Sequence, residues 1–366
     1  MKYFLIILAV IALFFVGVVI FMHTPAFGKE PSGKRLEHIE QSPNYKDGAF
    51  HNQYPTVMMT GDNGFLKSLK SFFQRVDNRR PVVSDKVQMP EVVKQDYHNL
   101  PDSDCIVWFG HSSYLLQLAG KRFLVDPVFY QGSPVRFVNT AFAGTDIFKP
   151  QDMPYIDYLI ITHDHWDHLD YWTVKELKDK VGKIIVPLGI GEDFEYWGFP
   201  LEQIIELDWY DEVVLTEGFR LHCLPSRHFS GRTLKRNYTL WASFMLESPT
   251  HNIFMGGDGG YDKRFAEFGE KFPVIDYAIL ENGQYNTQWA QIHTLPEQLG
   301  KEAFDLKARH VITVHHSKFA LANHAWNEPL KNELNAAEQY HLSLLILTIG
   351  EITRLEPKKY PTTENL

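Results

Sequence analysis

The chain of 366 residues is 44% hydrophobic and 14% aromatic, enough apolar side chain for a large core, which excludes a disordered protein. A formal net charge of -9 and a pI near 6.0 argue against an extended nucleic-acid surface. Its two cysteines, Cys105 and Cys223, each lie inside an apolar run and read as buried free thiols rather than a disulfide framework.

Phe4 to Met22 is an unbroken apolar run of nineteen residues behind Met1-Lys2, long enough to cross a bilayer. The following His23-Thr24-Pro25-Ala26-Phe27-Gly28 lacks an A-x-A-like cleavage site, so residues 1–28 are expected to form a retained transmembrane anchor. Lys2 and the α-amine favour a cytoplasmic N-terminus and an exported catalytic domain, whereas Lys29, Lys34 and Arg35 weigh the other way. Residues 29–98 read as a linker and N-terminal extension. Lys29 to Pro55 is polar and aperiodic, either a linker or a segment laid over the domain. From Gly64 to Arg80, by contrast, Leu66, Leu69, Phe72, Phe73 and Val76 recur at helical spacing, and Lys67, Lys70, Arg75, Arg79 and Arg80 supply a basic face. With Asp62 and Asp77 included this stretch carries a local +3, so it either packs on the core as an ordinary helix or lies on lipid headgroups.

Residues 99–366 are expected to form the catalytic domain. Asp104 to Phe109, Tyr114 to Leu118 and Lys121 to Val125 read as a β-meander with short glycine-containing turns. Strand and helix signals then alternate. Strands are expected at Ile156–Ile161, Lys183–Pro187, Gln203–Leu207, Glu212–Leu215, Phe219–Leu224, Leu240–Leu246, Asn252–Met255, Ile275–Leu280, Val311–Val314 and Ser343–Ile349. Helices are expected at Trp172–Lys180, Gly191–Trp197, Lys263–Glu270, Pro296–Leu306 and Glu328–Tyr340. A meander followed by alternating units predicts an α/β fold with two sheets inside and helices outside; there is no internal repeat.

The strand at Ile156 delivers Thr162-His163-Asp164-His165-Trp166-Asp167-His168-Leu169-Asp170, with three imidazoles and three carboxylates. Leaving a strand for a loop, His163 and His165 can turn onto one cation while Asp167 and His168 turn toward a second, and imidazole with carboxylate suits zinc and its neighbours. The competing reading, a solvated polar turn, does not account for that density. Further acceptors follow later strands: His228 after Phe219–Leu224, Asp258 within Gly256-Gly257-Asp258-Gly259-Gly260, and His315-His316 after Val311–Val314. Glycines around Asp258 let the backbone approach closely, and a carboxylate there can bridge two cations.

The H-x-H-x-D-H spacing resembles the signature of the metallo-β-lactamase-fold hydrolases. A longer set of segments narrows the likeness: Trp108-Phe109-Gly110-His111, Leu124-Val125-Asp126-Pro127, Glu206-Leu207-Asp208-Trp209, Pro225-Ser226-Arg227-His228, Arg232-Thr233-Leu234, Gly257-Asp258 with Tyr261, and Phe319-Ala320-Leu321-Ala322. Together they resemble the N-acyl-phosphatidylethanolamine-hydrolysing phospholipase D family with its bacterial relatives, over roughly Asn99 to Glu351. That resemblance implies an αββα metallo-β-lactamase sandwich with two zinc ions, manganese being an alternative metal. By position it implies that His163, His165, His228 and bridging Asp258 hold the first zinc, and Asp167, His168, Asp258 and His315 the second. It also puts His293 opposite the phosphate and makes Asp126 a support of the cluster. Three departures stand out: Gly259 replaces a threonine, His315-His316-Ser317 replaces His-Trp-Gly, and Glu281-Asn282-Gly283-Gln284-Tyr285 replaces a more apolar segment. Strand alternation lets only one of His315 and His316 face the site, and the alignment favours His315.

The expected reaction is hydrolysis of a phosphodiester by a metal-bound hydroxide, with Asp167, His293 and Asp126 taking part, and with phosphatidic acid and an alcohol such as N-acylethanolamine as products. Expected partners are a phospholipid substrate and the membrane, not nucleic acid, and the oligomeric state is left open, a homodimer included. Two rivals remain: a lactonase or other small-ester hydrolase on the same metals, and a membrane-tethered metal- or lipid-binding protein without turnover. The anchor weighs against the first and the full set of acceptors against the second.

Overall fold

The computed structural model describes residues 2–60, 76–82 and 89–356. It begins with the apolar helix α1 (Lys2–Met22), whose side chains from Tyr3 onward are almost all exposed. The polar stretch after it is laid over the domain and is partly regular, with α2 (Gly33–Ile39) and a small hairpin of β1 (Tyr45–Lys46) and β2 (Ala49–Phe50). It is held there by Arg35, which reaches Glu192 at 2.7 Å and Glu206 at 2.6 Å, while Ile39 and Phe50 are completely buried.

The first sheet contains β3 (Cys105–Trp108), β4 (Tyr114–Leu118) and β5 (Lys121–Val125) as an antiparallel meander. It then continues in parallel through β6 (Ile156–Ile160), β7 (Val181–Pro187) and β8 (Ile204–Leu207). The second sheet repeats that plan. There β9 (Glu212–Thr216), β10 (Phe219–Leu224), β11 (Ser243–Glu247) and β12 (Asn252–Met255) are antiparallel, and β13 (Tyr277–Glu281) and β14 (His310–Val314) add in parallel. Strands buried on both faces read as continuous apolar runs rather than alternating ones, as Cys105-Ile106-Val107-Trp108 and Tyr277-Ala278-Ile279-Leu280 do.

One apolar cluster joins the two sheets, with Val125, Ile160 and Ile185 from the first against Leu221, Phe244 and Met255 from the second. Helices α3 (Tyr171–Leu177) and α4 (Gly191–Tyr196) contribute Val174, Leu177 and Phe194 to the same cluster. A second cluster lies under α5 (Arg264–Lys271), α6 (Pro296–Asp305) and α7 (Glu328–Tyr340), with Phe268, Leu299 and Ala336 against Met245, Phe254 and Leu280. The result is helices, two sheets and helices in layers, as expected.

One expectation about elements needs correction. Ser343–Ile349 is not a strand, because its backbone bonds are divided: the Leu345 N–H donates to Val311 while the Ile349 carbonyl accepts from Val93, so no ladder can run along it. The edge strand is instead β15 (Ile352–Arg354), antiparallel to β3. The expected helix Gly64–Arg80 lies mostly outside the described residues. At its described end, Val76–Arg80 is a turn, with the Arg79 guanidinium donating to the Ala320 and Ala322 carbonyls and Arg80 to Thr140.

Candidate metal centre

Strand ends from both sheets converge on one point, as ligand sites in parallel sheets do. His111 follows β3, Asp126 follows β5, Thr162 to His168 follow β6, and Glu281 closes β13. His228, Asp258 and His315 follow β10, β12 and β14. His111, Asp126 and His315 hold φ values of 54°, 43° and 69°, left-handed backbone at non-glycine residues, which costs about 1–3 kcal/mol each and is characteristic of functional sites. Beside Asp258, Gly257 has φ 61°, and a Cβ there would lie 3.0 Å from the Ala242 carbonyl oxygen and the Thr162 Cβ. A side chain there would be crowded by both atoms and strained by the backbone.

His163 Nε2 lies 2.9 Å from His165 Nδ1, and His228 Nε2 lies 3.2 Å from the same atom. Asp258 Oδ2 is 4.0 Å from His163 Nε2 and 3.9 Å from His228 Nε2. A second group lies on the other side of Asp258, whose Oδ1 is 3.2 Å from His168 Nε2 and 3.2 Å from the ring of His315; Asp167 Oδ2 is 3.8 Å from His168 Nε2. Asp258 therefore faces both groups with different oxygens.

Three of the imidazoles are oriented from behind. The His228 Nδ1–H donates to the Ile292 carbonyl at 2.7 Å, the His168 Nδ1–H to Asp126 Oδ2 at 2.7 Å, and the His163 Nδ1–H to Thr162 Oγ1 at 3.0 Å. Such bonds fix the tautomer and leave the other nitrogen's lone pair facing the cluster. His168 Nε2, Asp258 Oδ1 and His315 Nε2 are buried without a hydrogen-bond partner among the described residues. A buried polar atom left unpaired costs about 1–3 kcal/mol. Several of them, imidazole and carboxylate together around shared points, fit cations of the zinc type.

Burial and neighbouring imidazoles push His163, His228 and His315 well below the ordinary histidine range, and burial brings His165 down to about 4. These rings are neutral donors of electron pairs. For His168 burial acts in the same direction but is outweighed by Asp258, Asp126 and Asp167, which raise it. The carboxylates of Asp167 and Asp258 are held below the usual range because the surrounding histidines overcome burial.

Of the acceptors singled out in the sequence, all but His316 gather round this point, His293 with them: its Nδ1 is 3.9 Å from Asp258 Oδ2. His316 is turned away, with Nε2 bonded to Thr313 Oγ1 at 3.1 Å, Nδ1 to Ser317 Oγ at 2.8 Å, and its ring against Trp108. Strand alternation is not what separates the two histidines. β14 ends at Val314, and the left-handed turn at His315 does so.

His111, Ser112 and Glu281 have no role in the sequence reading, yet they contact the site. The fully buried His111 donates from Nε2 to Asp167 Oδ2 at 2.9 Å, Ser112 Oγ is 2.9 Å from His315 Nδ1, and Glu281 Oε2 is 2.9 Å from His293 Nδ1. His111 follows a strand in a glycine-containing segment, the same signal that marks Asp258. Glu281 is visible only as the departure from an apolar segment.

Outside the cluster a cavity of about 260 Å³ is bounded by His165, Asp167, Asp258, His293 and His315 on its floor. Met58, Met59, Phe229, Trp289, Ile292 and Leu321 form apolar walls, and the exposed Arg236 stands at the rim over Phe229.

Residues 121–316 match the beta-lactamase superfamily domain. The chain belongs to the metallo-β-lactamase superfamily. It is 37% identical over 324 residues to an uncharacterized protein of Mycobacterium tuberculosis, covering 87% of this chain and 85% of that one. It is 25% identical over 301 residues to N-acyl-phosphatidylethanolamine-hydrolyzing phospholipase D 1 of Caenorhabditis elegans, covering 76% of this chain and 83% of the relative. Among solved structures, Igni18, a metallo hydrolase of the archaeon Ignicoccus hospitalis, superposes with a TM-score of 0.53 at 18% identity over 70% of this chain and all of that one, a likeness of fold. Superfamily membership and the acceptor cluster together make the chain a metal-dependent hydrolase.

Proposed function

We propose that the protein is a phospholipase D-type phosphodiesterase with two zinc ions, cleaving N-acyl-phosphatidylethanolamine or a related glycerophospholipid to phosphatidic acid and N-acylethanolamine. The observation that carries this reading is one cavity that joins the acceptor cluster to apolar walls and a rim arginine. An acyl-bearing phosphodiester offers a matching partner for each part.

In this reading His163, His165, His228 and Asp258 hold one ion, and Asp167, His168, Asp258 and His315 the other. Bound there, the pair would lower the pKa of a shared water and neutralise a phosphoryl oxygen. The protein's own groups do the rest. Asp126 and Thr162 fix the rings of His168 and His163, His111 fixes Asp167, and Asp258 keeps both groups in register. His293 lines the cavity with its Nδ1 held by Glu281, and in this reading it can hydrogen-bond the phosphate or hand a proton to the leaving alkoxide. Arg236 is placed to meet a polar group of the lipid, and the methionine and aromatic walls exclude water from the cleaved bond.

The same reading makes α1 a retained membrane anchor. Residues just beyond it are bonded into the domain, so the catalytic cavity is held at a fixed position with respect to the bilayer.

The test is hydrolysis by purified full-length protein of N-acyl-phosphatidylethanolamine in mixed micelles, beside acyl-homoserine lactones and simple carboxylic esters, with and without chelator. Chelator-sensitive release of N-acylethanolamine supports the proposal. Turnover of lactones alone would replace it with the small-ester reading, and no turnover with retained metal would replace it with the non-catalytic one.

A further inference from the structure

Helix α1 does not hang free of the domain. Directly after it, Pro25–Phe27 make a single helical turn seated among the loops beside the metal cluster. The Pro25 carbonyl accepts from Trp197 Nε1 at 2.7 Å, and the Ala26 carbonyl accepts from Arg232 Nη2 at 2.8 Å. Phe27 stands edge-on to Trp166, ring centres 4.9 Å apart, and the Lys29 N–H donates to Asp193 Oδ1 at 2.7 Å. Trp166 lies between His165 and Asp167, so the chain leaving the apolar helix touches the loop that carries the acceptors.

Between the end of α1, this seated turn and the loop around residues 131–137 lies a second cavity, of about 680 Å³. Phe21, Pro25, Phe27, Val135, Phe137 and Trp172 form most of its wall, and Arg136 stands exposed beside them. Its size is within the roughly 300–1,000 Å³ usual for small-molecule sites. None of the residues that line it lines the cavity over the metal cluster. Around it the surface is unusually apolar: Phe137 is 83% exposed, Val138 62% and Trp172 45%, adjoining the exposed apolar side chains of α1. A contiguous patch of this kind is costly against water and marks a surface that something apolar covers.

What covers it follows from its position. The cavity lies where a twenty-residue apolar helix ends, so a bilayer that surrounds α1 ends at the same level, and its lipids are the apolar matter at hand. Headgroup chemistry fits too, because a phosphate at that level meets Arg136. We propose that this cavity is a lipid site separate from the catalytic one, taking an acyl chain of a bilayer glycerophospholipid with its phosphate at Arg136. It rests on the reading of α1 as a retained anchor and extends it: a chain lodged there braces Phe27 against Trp166 and holds the domain against the bilayer.

The experiment uses full-length protein in vesicles of phosphatidylcholine and phosphatidylglycerol containing a trace of phosphatidylcholine with a diazirine on its acyl chain. After irradiation, labelled peptides are mapped by mass spectrometry, and the vesicles are extracted with alkaline carbonate. The expected result is label in α1, in the segment Pro134–Phe137 and at Tyr171 and Trp172. Val135→Trp, which fills the cavity, and Val135→Asp, which makes it polar, should each remove the label at Tyr171 and Trp172 while α1 stays labelled. Label in α1 without label at those residues overturns the cavity proposal and leaves the anchor standing. Cavity label that survives both substitutions also overturns it. Release of unlabelled protein by carbonate overturns the anchor reading itself.

Discussion

Asp126 Oδ2 lies 2.7 Å from His168 Nδ1, and the same carboxylate accepts the N–H and the hydroxyl of Thr162. Asp126 thereby sets the ring that faces Asp258 Oδ1, without facing the cavity itself. Asp126→Ala should weaken metal affinity at the His168, Asp167 and His315 position by about 10–100-fold while the His163, His165 and His228 position keeps its ion, as loss of an outer hydrogen-bond partner usually does. Chelator competition with elemental analysis measures this. Unchanged affinity at both positions would show that the carboxylate has no such role.

Because Asp258 turns one oxygen toward each group, Asp258→Asn should cost more activity than alanine at any single histidine of the cluster. Replacing the two adjacent histidines separates them cleanly. His315→Ala should lose one metal equivalent. His316→Ala should keep both and lose some thermal stability, since its ring nitrogens are bonded to Thr313 and Ser317. The opposite pattern would exchange their roles.

His293, half-buried beside the cluster, is held by the buried Glu281. His293→Ala should lower kcat by about 10²–10⁴-fold with metal content unchanged, the range of a lost general acid. Glu281→Gln leaves an acceptor for the Nδ1 proton and should fall less than Glu281→Ala. A wild-type kcat in His293→Ala would remove His293 from the chemistry.

Burial lifts the Asp193 carboxyl from 3.8 to about 8, with Arg232 opposing the rise. The folded protein therefore keeps a proton here that the unfolded chain releases. This group's contribution to stability is full below about pH 4, shrinks as pH rises through the window, and is gone above about pH 8. Melting temperatures measured across that window should decline in the wild type relative to Asp193→Asn. Parallel profiles would show that Asp193 does not carry the pH dependence.

Much of the fold was legible because several central strands are buried on both faces and run into glycine or histidine, so that Ile156–Ile161 and Asn252–Met255 declare both their type and their C-terminal ends. The site was legible for the same reason, since His228, Asp258 and His315 all follow such strands. What escaped depends on partners distant in sequence. Leu345 and Ile349 bond to different neighbours, so an apolar run that looks like a strand cannot become one. Arg35 lies in a polar, aperiodic stretch and Phe27 at the end of the expected anchor, and only contact with Glu192, Glu206 and Trp166 gives them a place. His111 matters through one hydrogen bond to Asp167, 56 positions away.

The proposed chemistry places the attack at phosphorus, so the oxygen that enters from water must end in the phosphate. Hydrolysis of N-acyl-phosphatidylethanolamine by zinc-loaded full-length protein in ¹⁸O-enriched water, read by mass spectrometry of both products, tests this most directly. The account predicts one ¹⁸O in the phosphatidic acid, none in the N-acylethanolamine, and no turnover once chelator has removed the metal. Label in the N-acylethanolamine, or undiminished turnover of metal-free protein, would contradict it.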